Sequence, residues 1–208
     1  MGQVGNIYNL DIMNDIYTKK AQMRAASRDG RFQDAISVSD EILAAAPDDF
    51  DAVMTKAQIW SIPDPTWCNY DAAIALVDEA RRRHPDDLRF LIGLASIQKN
   101  AGNYDHAARW YREALQGDEK NYDALTGLAS LEEYPGADVS SADARQILEK
   151  ARNVAPERWQ AYAMLAQHLQ RSGDKAAARV NYEAAIRRVD AQDARMREEL
   201  EQEMRALT

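Results

Sequence analysis

The chain has 208 residues and a formal net charge of −8, with 26 Lys and Arg against 34 Asp and Glu. A sequence pI near 5.0 argues against a nucleic-acid-binding protein, because such proteins need a basic surface to meet the phosphate backbone. The single cysteine, Cys68, cannot form a disulfide within the chain. The sequence shows neither a secretory signal pattern nor a long uncharged apolar stretch. We therefore expect a cytoplasmic protein that binds neither nucleic acid nor membrane.

Alanine dominates the composition with 36 residues, whereas there are only nine glycines and six prolines. Alanine is the best helix former, and glycine and proline are the residues that interrupt helices most strongly. Many alanines and few large aliphatic side chains are typical of helices that pack backbone close to backbone. The composition thus predicts an all-α protein.

Similar sequence recurs at intervals of 34 to 38 residues. The tetrapeptide Gly-Leu-Ala-Ser occurs at 93–96 and again at 127–130. One set of alanines keeps the same phase in five successive segments, at Ala35, Ala73, Ala107, Ala144 and Ala178. A second set follows seven residues after the last four of these, at Ala80, Ala114, Ala151 and Ala185. A period of this length indicates a helical-repeat architecture.

Each segment is predicted to hold two helices separated by a short turn. In the third segment, Leu91, Leu94 and Ile97 share one face of the first helix. Gly102 follows, where a glycine can supply the positive φ that helix ends often require. Pro85, with two aspartates behind it, ends the second helix of the segment before and favours the start of the next.

These features resemble tetratricopeptide repeats over residues 14–190. The resemblance implies an all-α, right-handed superhelix (an α-solenoid) of about five helix-turn-helix repeats with a C-terminal capping helix. The first unit departs most, because Lys19 and Gln22 stand where the family usually has large apolar residues, as expected of a terminal repeat. The predicted segments are a lead-in at 1–13, repeats at about 14–49, 50–87, 88–121, 122–158 and 159–190, and a capping helix at 191–208.

Two units are longer than the others. The second unit gains four residues around 62–69, including Trp67 and Cys68. The fourth unit gains three residues around 134–139, a segment that begins with Tyr134. Both insertions fall in the predicted turn within a helix pair, and such insertions often form a binding edge. Trp67 and Tyr134 are therefore possible edge-loop contacts. The alternative is that Trp67 folds back over its own helix pair, and we expect Cys68 to be buried beside it.

The last segment carries a stripe of apolar residues at helical spacing, Met196, Leu200, Met204 and Leu207. A helix that covers the open end of the final repeat is the default interpretation. Contact with another chain is the alternative.

No pattern in the sequence indicates catalysis. His84, His106 and His168 lie in different units without a second candidate ligand at i+3 or i+4, and phosphate-binding and nucleophile motifs are absent. We predict no catalytic residue, no metal site and no cofactor, and hence no enzyme.

In tetratricopeptide-repeat proteins, the first helices of successive units line a concave groove. Carried over by phase, nine residues form the candidate peptide-binding groove: Lys20, Arg24, Thr55, Gln58, Arg89, Ser96, Thr126, Ser130 and Gln167. The family's clamp for the carboxylate of chaperone tails is only fragmentary, because Arg24 and Thr55 stand where asparagine is expected. The chain therefore does not resemble a receptor for those tails.

The groove positions suggest two properties. Lys20, Arg24 and Arg89 predict that an acidic end of the ligand lies on the N-terminal half. Gly93 and Gly127 either make room for a bulky partner or let neighbouring helices pack closely, and the sequence leaves both interpretations open.

The resemblance implies a non-catalytic protein-protein interaction module: an adaptor, scaffold or dedicated chaperone that binds a peptide or helix in its groove. A self-assembling structural scaffold, and thus a homo-oligomer, is one alternative. A non-catalytic subunit of an enzyme complex is another. The sequence does not identify the protein partner.

Overall fold

The computed structural model describes the backbone of residues 4–207 and the side chains of residues 13–207. Over that range the regular secondary structure consists of eleven α-helices without a strand, which confirms the all-α prediction. The chain divides into two compact units, residues 1–103 and 104–208. None of the helices within the described range has the length and apolarity needed to cross a bilayer.

The first unit contains five helices and the second contains six. The helices of the first unit are α1 (Val4–Arg28), α2 (Phe32–Ala45), α3 (Phe50–Trp60), α4 (Tyr70–Arg83) and α5 (Leu88–Asn100). The helices of the second unit are α6 (Tyr104–Gly117), α7 (Tyr122–Ala129), α8 (Ser141–Val154), α9 (Trp159–Arg171), α10 (Lys175–Ile186) and α11 (Ala194–Arg205).

The first helix extends into the predicted lead-in. Helix α1 begins at Val4, so residues 4–13 are continuous with the first helix; the segment has no proline, and its one glycine, Gly5, lies in the first turn. Residues 1–3, and Thr208 of the predicted capping segment, lie outside the described residues. Both insertions lie between helices of one pair, at 61–69 between α3 and α4 and at 130–140 between α7 and α8.

Glycine ends the first helix of three pairs in the predicted manner. Gly30, Gly102 and Gly173 have φ of +75°, +82° and +86°, a region that side chains with a Cβ disfavour. After Gly30, the N–H of Arg31 donates to the carbonyl of Ala26 at 2.9 Å, the bond that closes a glycine C-cap. At Gly30 and Gly173 the turn reverses the chain and places α2 against α1 and α10 against α9.

Polar side chains begin most of the helices. Asp49 accepts a hydrogen bond from the N–H of Ala52 at 3.1 Å, and Asn121 does the same for Ala124 at 3.0 Å. Such caps satisfy amide groups that have no partner within the helix. The second aspartate after Pro47 and after Pro85, Asp49 and Asp87, is therefore the N-cap residue of the next helix.

The alanines that keep the repeat phase are buried. All five members of the first set have 0% exposure, and the second set is at most 2% exposed. A methyl side chain at these positions lets the helices approach closely, while larger side chains fill the space beside the crossing. In the first unit, Met23, Ile42 and Ala52 form one such cluster.

One core cluster of the second unit reaches the last helix. Tyr182 and Leu165 lie in this cluster together with Leu200 and Leu207. The apolar stripe of the last segment is thus packed against α9 and α10, with Leu200 and Leu207 buried and Met196 and Met204 half-buried.

Candidate functional site

The basic residues predicted for the groove of the first unit are paired with aspartates. Lys20 Nζ lies 2.6 Å from Asp49 Oδ2 and 3.1 Å from Asp51 Oδ2. Arg24 Nη2 contacts the same oxygen of Asp51 at 2.9 Å. Both aspartates come from the start of α3, so the face of α1 that carries Lys20 and Arg24 is the face that meets the next pair.

This pairing shifts the pKa of both partners. Partial burial disfavours the charged form of Lys20, but hydrogen bonds with Asp49 and Asp51 outweigh it and raise the Lys20 pKa above its ordinary value. Burial likewise acts to raise the pKa of Asp51, and the hydrogen bonds from Lys20 and Arg24 reverse the effect and lower it. The site holds charged groups of both signs in contact.

Arg89, the third basic residue, is also engaged. Its guanidinium contacts Asp87, with Nη2 2.7 Å from Oδ2, and it lies 4.3 Å from the centre of the Phe50 ring. Each of the three residues predicted to meet an acidic ligand end is therefore paired with a carboxylate of the chain, while Arg24 and Arg89 stay 58% and 63% exposed.

The small groove residue of the first unit serves packing. A Cβ on Gly93 would lie 2.5 Å from Sδ of Met54, and Met54 is buried. The space opened by the glycine is therefore filled from within the chain. Among the other candidates of this unit, Gln58 is exposed, whereas Thr55 and Ser96 are half-buried.

The edge-loop candidate Trp67 contacts residues of its own helix pair and also residues of the preceding pair. Its ring meets that of Phe32 edge-on, with centroids 5.7 Å apart, and it joins a cluster with Ala35 and Ile59. Phe32 and Ala35 belong to the preceding pair, so Trp67 closes the space between two pairs. Cys68 is exposed, and the expectation that it is buried beside the tryptophan is wrong.

In the second unit, two groove candidates hydrogen-bond to their own helix. Thr126 Oγ1 donates to the carbonyl of Tyr122 at 3.0 Å, and Ser130 Oγ donates to the carbonyl of Gly127 at 2.7 Å. Gly127 is itself covered, since a Cβ there would lie 2.3 Å from Cε1 of the buried Tyr111. Close packing, rather than room for a ligand, explains both groove glycines.

The third groove candidate, Gln167, contacts the terminal helix. Its Nε2 donates to Glu203 Oε2 of α11 at 3.1 Å. The hydroxyl of Tyr182 lies 2.6 Å from the same carboxylate oxygen, and burial together with that hydrogen bond raises the Tyr182 pKa well above its ordinary value. Helix α11 is therefore fixed by polar contacts as well as by its apolar stripe.

A cavity of about 150 Å³ brings groove and edge-loop candidates together. Ser130, Tyr134 and Gln167 all line it, although two of them were predicted from repeat phase and one from the insertion. Apolar and charged residues complete the lining: Ala129, Glu132, Glu133, Leu148, Met164 and Arg171. Within the second unit this is the place where the predicted residues converge.

Glu132 holds the wall of this cavity in place. Its Oε2 lies 3.0 Å from Nδ1 of the buried His168 and 2.9 Å from Nη2 of Arg171. Burial acts to raise the Glu132 pKa, but hydrogen bonds from His168, Ser141 and Arg171 outweigh it and lower the pKa. The carboxylate therefore stays ionised and ties the 130–140 loop to α9.

The rest of that loop is equally well packed. The ring of Tyr134 stacks on Tyr104 with centroids 4.1 Å apart, and Arg112 Nη2 donates to the carbonyl of Asp138 at 2.5 Å. Ala137 is buried. The insertion is thus a fixed wall of the cavity.

Sequence reasoning missed the charged residues of this site. Glu132, Glu133, His168 and Arg171 were absent from the candidates, and His168 was interpreted as an isolated residue. A usable signal exists, because His168 follows Glu132 by 36 residues, close to one repeat. A polar residue just after one first helix thus contacts a polar residue on the next first helix, about one repeat later.

Comparison with known proteins supports the resemblance seen in the sequence. A family model described as tetratricopeptide repeat matches residues 69–124. None of the curated protein sequences matches the chain. The family match covers α4, α5 and α6 and the start of α7, together with the preceding Asn69.

Solved structures match over most of the chain. Yeast Tom70 superposes with a TM-score of 0.76 at 18% identity, over 100% of this chain and 43% of that chain. A thermophilic tetratricopeptide-repeat protein of Thermus thermophilus gives 0.69 at 15% identity, over 88% and 96%. The type III secretion translocator chaperone SycD of Yersinia enterocolitica gives 0.54 at 17% identity, over 59% and 84%. This chain spans less than half of the Tom70 chain, and these likenesses establish the fold.

Proposed function

We propose that this chain, a tetratricopeptide-repeat protein by its family match and its fold, is a non-catalytic interaction module, an adaptor or dedicated chaperone. Proteins of this family generally mediate protein-protein interactions, and helical repeats present extended surfaces to their partners. In this proposal the partner is a protein or peptide that binds on the first helices.

The observation that carries the proposal is the cavity lined by Ser130, Tyr134 and Gln167. It lies on first helices α7 and α9, beside a loop that is longer than in the neighbouring repeats. Proteins place binding residues on loops held by a rigid scaffold, and Glu132 and Arg112 hold this loop firmly. A partner surface on the first helices of the second unit is the consistent interpretation.

Photo-crosslinking combined with affinity purification tests the proposal. The chain is expressed in its source cell with p-benzoylphenylalanine in place of Gln58 or Gln167, one on each unit, and adducts are identified by mass spectrometry. The matched control replaces Val180, which is 62% exposed but lies on the second helix α10. We expect a defined protein adduct from at least one first-helix position. Equal adducts from Val180, or adducts from Val180 alone, would place the partner on another surface.

One observation favours self-assembly as a second candidate. Met13 and Tyr17 lie one helical turn apart on α1 and are 62% and 77% exposed. Large apolar side chains exposed side by side often mark interfaces. The apolar stripe of α11, in contrast, is packed within its own unit, so assembly through that stripe loses its motivation.

Light scattering at two protein concentrations distinguishes this second candidate. If α1 mediates assembly, the wild-type mass rises with concentration and the double substitution Met13→Ser with Tyr17→Ser abolishes the rise. A mass that stays at the monomer value of 23.4 kDa at both concentrations would exclude it.

A further inference from the structure

We propose that the cavity lined by Ser130, Glu133 and Gln167 is an anchor pocket for one basic side chain, lysine or arginine, of a protein or peptide partner. The inference rests on the proposed interaction function and adds the chemistry of one contact. Its basis is the size of the cavity, the order of its lining and the local excess of carboxylates.

The size of the cavity selects a single side chain. Its volume is about 150 Å³, and an apolar cavity of about 150 Å³ is large enough to hold a benzene ring. A helix or several side chains would not enter. The pocket therefore fits a single anchor residue of a longer ligand.

The buried residues that line the pocket are apolar, whereas its most exposed acidic residue is charged. Ala129 and Leu148 are buried and Met164 is half-buried, which gives the pocket an apolar part. Glu133 is the exposed acidic member, with 57% of its side chain accessible. Lysine and arginine have the matching order, an apolar stem followed by a charged end.

The charges around the cavity favour a cation. Glu132 and Glu133 line it, and Glu203 accepts a hydrogen bond from the lining residue Gln167. The guanidinium of Arg171 contacts Glu132 Oε2 at 2.9 Å and Glu133 Oε1 at 2.7 Å. The lining carries two carboxylates, with Glu203 beside it, against the guanidinium of Arg171. An acidic side chain would therefore be repelled, and a purely apolar one would leave this negative charge uncompensated.

Arg171 does not block a second cation. Its Nη1 contacts Oε1 of Glu133, and an ionised carboxylate can accept hydrogen bonds at both oxygens. An incoming ammonium can thus pair with Glu133 while Arg171 keeps its contact with Glu132. The ring of Tyr134, 37% exposed, offers an aromatic neighbour that favours a cation.

Peptide titration of the full, ¹⁵N-labelled chain tests the pocket. The probes are three acetylated and amidated pentapeptides in which alanines flank a central lysine, norleucine or glutamate. We expect the lysine peptide to give saturable shifts of the amides at 129–134 and 163–171, weaker at high salt. We expect the norleucine peptide to bind several-fold more weakly and the glutamate peptide to leave these amides unshifted.

Two matched variants assign the effect to Glu133. Glu133→Gln should weaken the lysine peptide about threefold to fivefold, the range for losing an exposed ion pair, whereas Glu183→Gln, an exposed glutamate on α10, should not. An unperturbed amide spectrum outside the pocket verifies that each variant is folded. Equal binding of the lysine and norleucine peptides by the wild-type chain, or unchanged lysine affinity in Glu133→Gln, would overturn the proposal.

The peptides also separate this inference from the proposed function. A protein adduct at Gln167 whose yield is the same in a Glu133→Gln background would overturn the basic pocket and leave the interaction function standing. If the lysine peptide binds at the pocket but no cellular protein partner is found, the basic pocket stands and the proposed interaction function is overturned.

Discussion

The ring of Tyr111 lies against the backbone of Gly127, so that a Cβ at position 127 would come within 2.3 Å of Cε1 and 2.4 Å of Cζ. Tyr111 is buried and its ring is rigid, so it can move aside only by displacing its neighbours. At Gly93 the corresponding contact is with the flexible end of Met54, at 2.5 and 2.6 Å. Two glycines in the same place of successive repeats thus have different tolerance for a side chain.

We predict that Gly127→Ala destabilises the protein by about 1–3 kcal/mol, the usual cost of inserting a methyl group into a packed site. The gain in helix propensity, about 1 kcal/mol at most, offsets only part of it. Gly93→Ala is the matched control and should cost less, because Met54 can change rotamer. Urea unfolding of both variants measures the difference; an equal loss in both would contradict the assignment to ring rigidity.

The phase-keeping alanines should tolerate enlargement poorly. Ala107 and Ala178 are 0% exposed and lie where helices cross. Ala107→Leu or Ala178→Leu should lower the free energy of unfolding by about 1–3 kcal/mol. The exposed Ala44 of α2 is the control, and Ala44→Leu should leave the melting temperature nearly unchanged. A wild-type melt for either core variant would show that the helices do not cross at these alanines.

The fold was predictable because its determinants are local and recur. The alanine at Ala107 has an equivalent in every repeat and the turn glycine Gly102 has one in most of them, and the period fixes which helix face is buried. Helix α1 was underestimated at its start because 4–13 lies before the first repeated element, so no equivalent segment defines its boundary.

The candidate site was only partly predictable, since phase gives the face of a helix but not its neighbours. Lys20 and Arg24 were placed on the face that meets the next pair, yet their pairing with Asp51 depends on how α1 and α3 pack. The direction of Trp67 depends on the path of a loop without an equivalent in the other repeats. In physical terms, the missing information is the contact between successive pairs.

Glu132 should contribute stability that depends on pH. Its pKa in the folded chain is lowered below the ordinary value of 4.5, since the donors His168, Ser141 and Arg171 outweigh the opposing effect of burial. The contribution is therefore fully present above about pH 4.5 and is lost as the pH falls through the folded pKa. Glu132→Gln should lower the free energy of unfolding by about 1–3 kcal/mol at pH 7, the range for a hydrogen-bonded buried charge. It should also reduce the acid limb of the profile, the loss of unfolding free energy as the pH falls below about 4.5.

The neighbouring glutamate provides the control for this prediction. Glu133 is 57% exposed, whereas Glu132 is 14% exposed. Glu133→Gln should therefore cost no more than about 1 kcal/mol, as exposed ion pairs do. Urea unfolding of both variants from pH 7 down to about pH 2.5, which spans the fall through the lowered pKa of Glu132, gives the comparison. Parallel pH profiles for wild type and Glu132→Gln would show that Glu132 is not the source of the acid limb.

The terminal helix should stabilise the second unit rather than hold a partner. Leu200 is buried in the same cluster as Tyr182, so Leu200→Ala should cost about 2–5 kcal/mol, as large-to-small core substitutions do. Truncation before Ala191 should lower the melting temperature and solubility by exposing the apolar edge of the last repeat. Arg195→Ala, at a side chain that is 91% exposed, is the control and should melt like the wild type. If truncation left the melt unchanged but reduced the mass measured by light scattering, α11 would be an assembly element, and the stripe of Met196, Leu200 and Met204 would contact another copy of the chain.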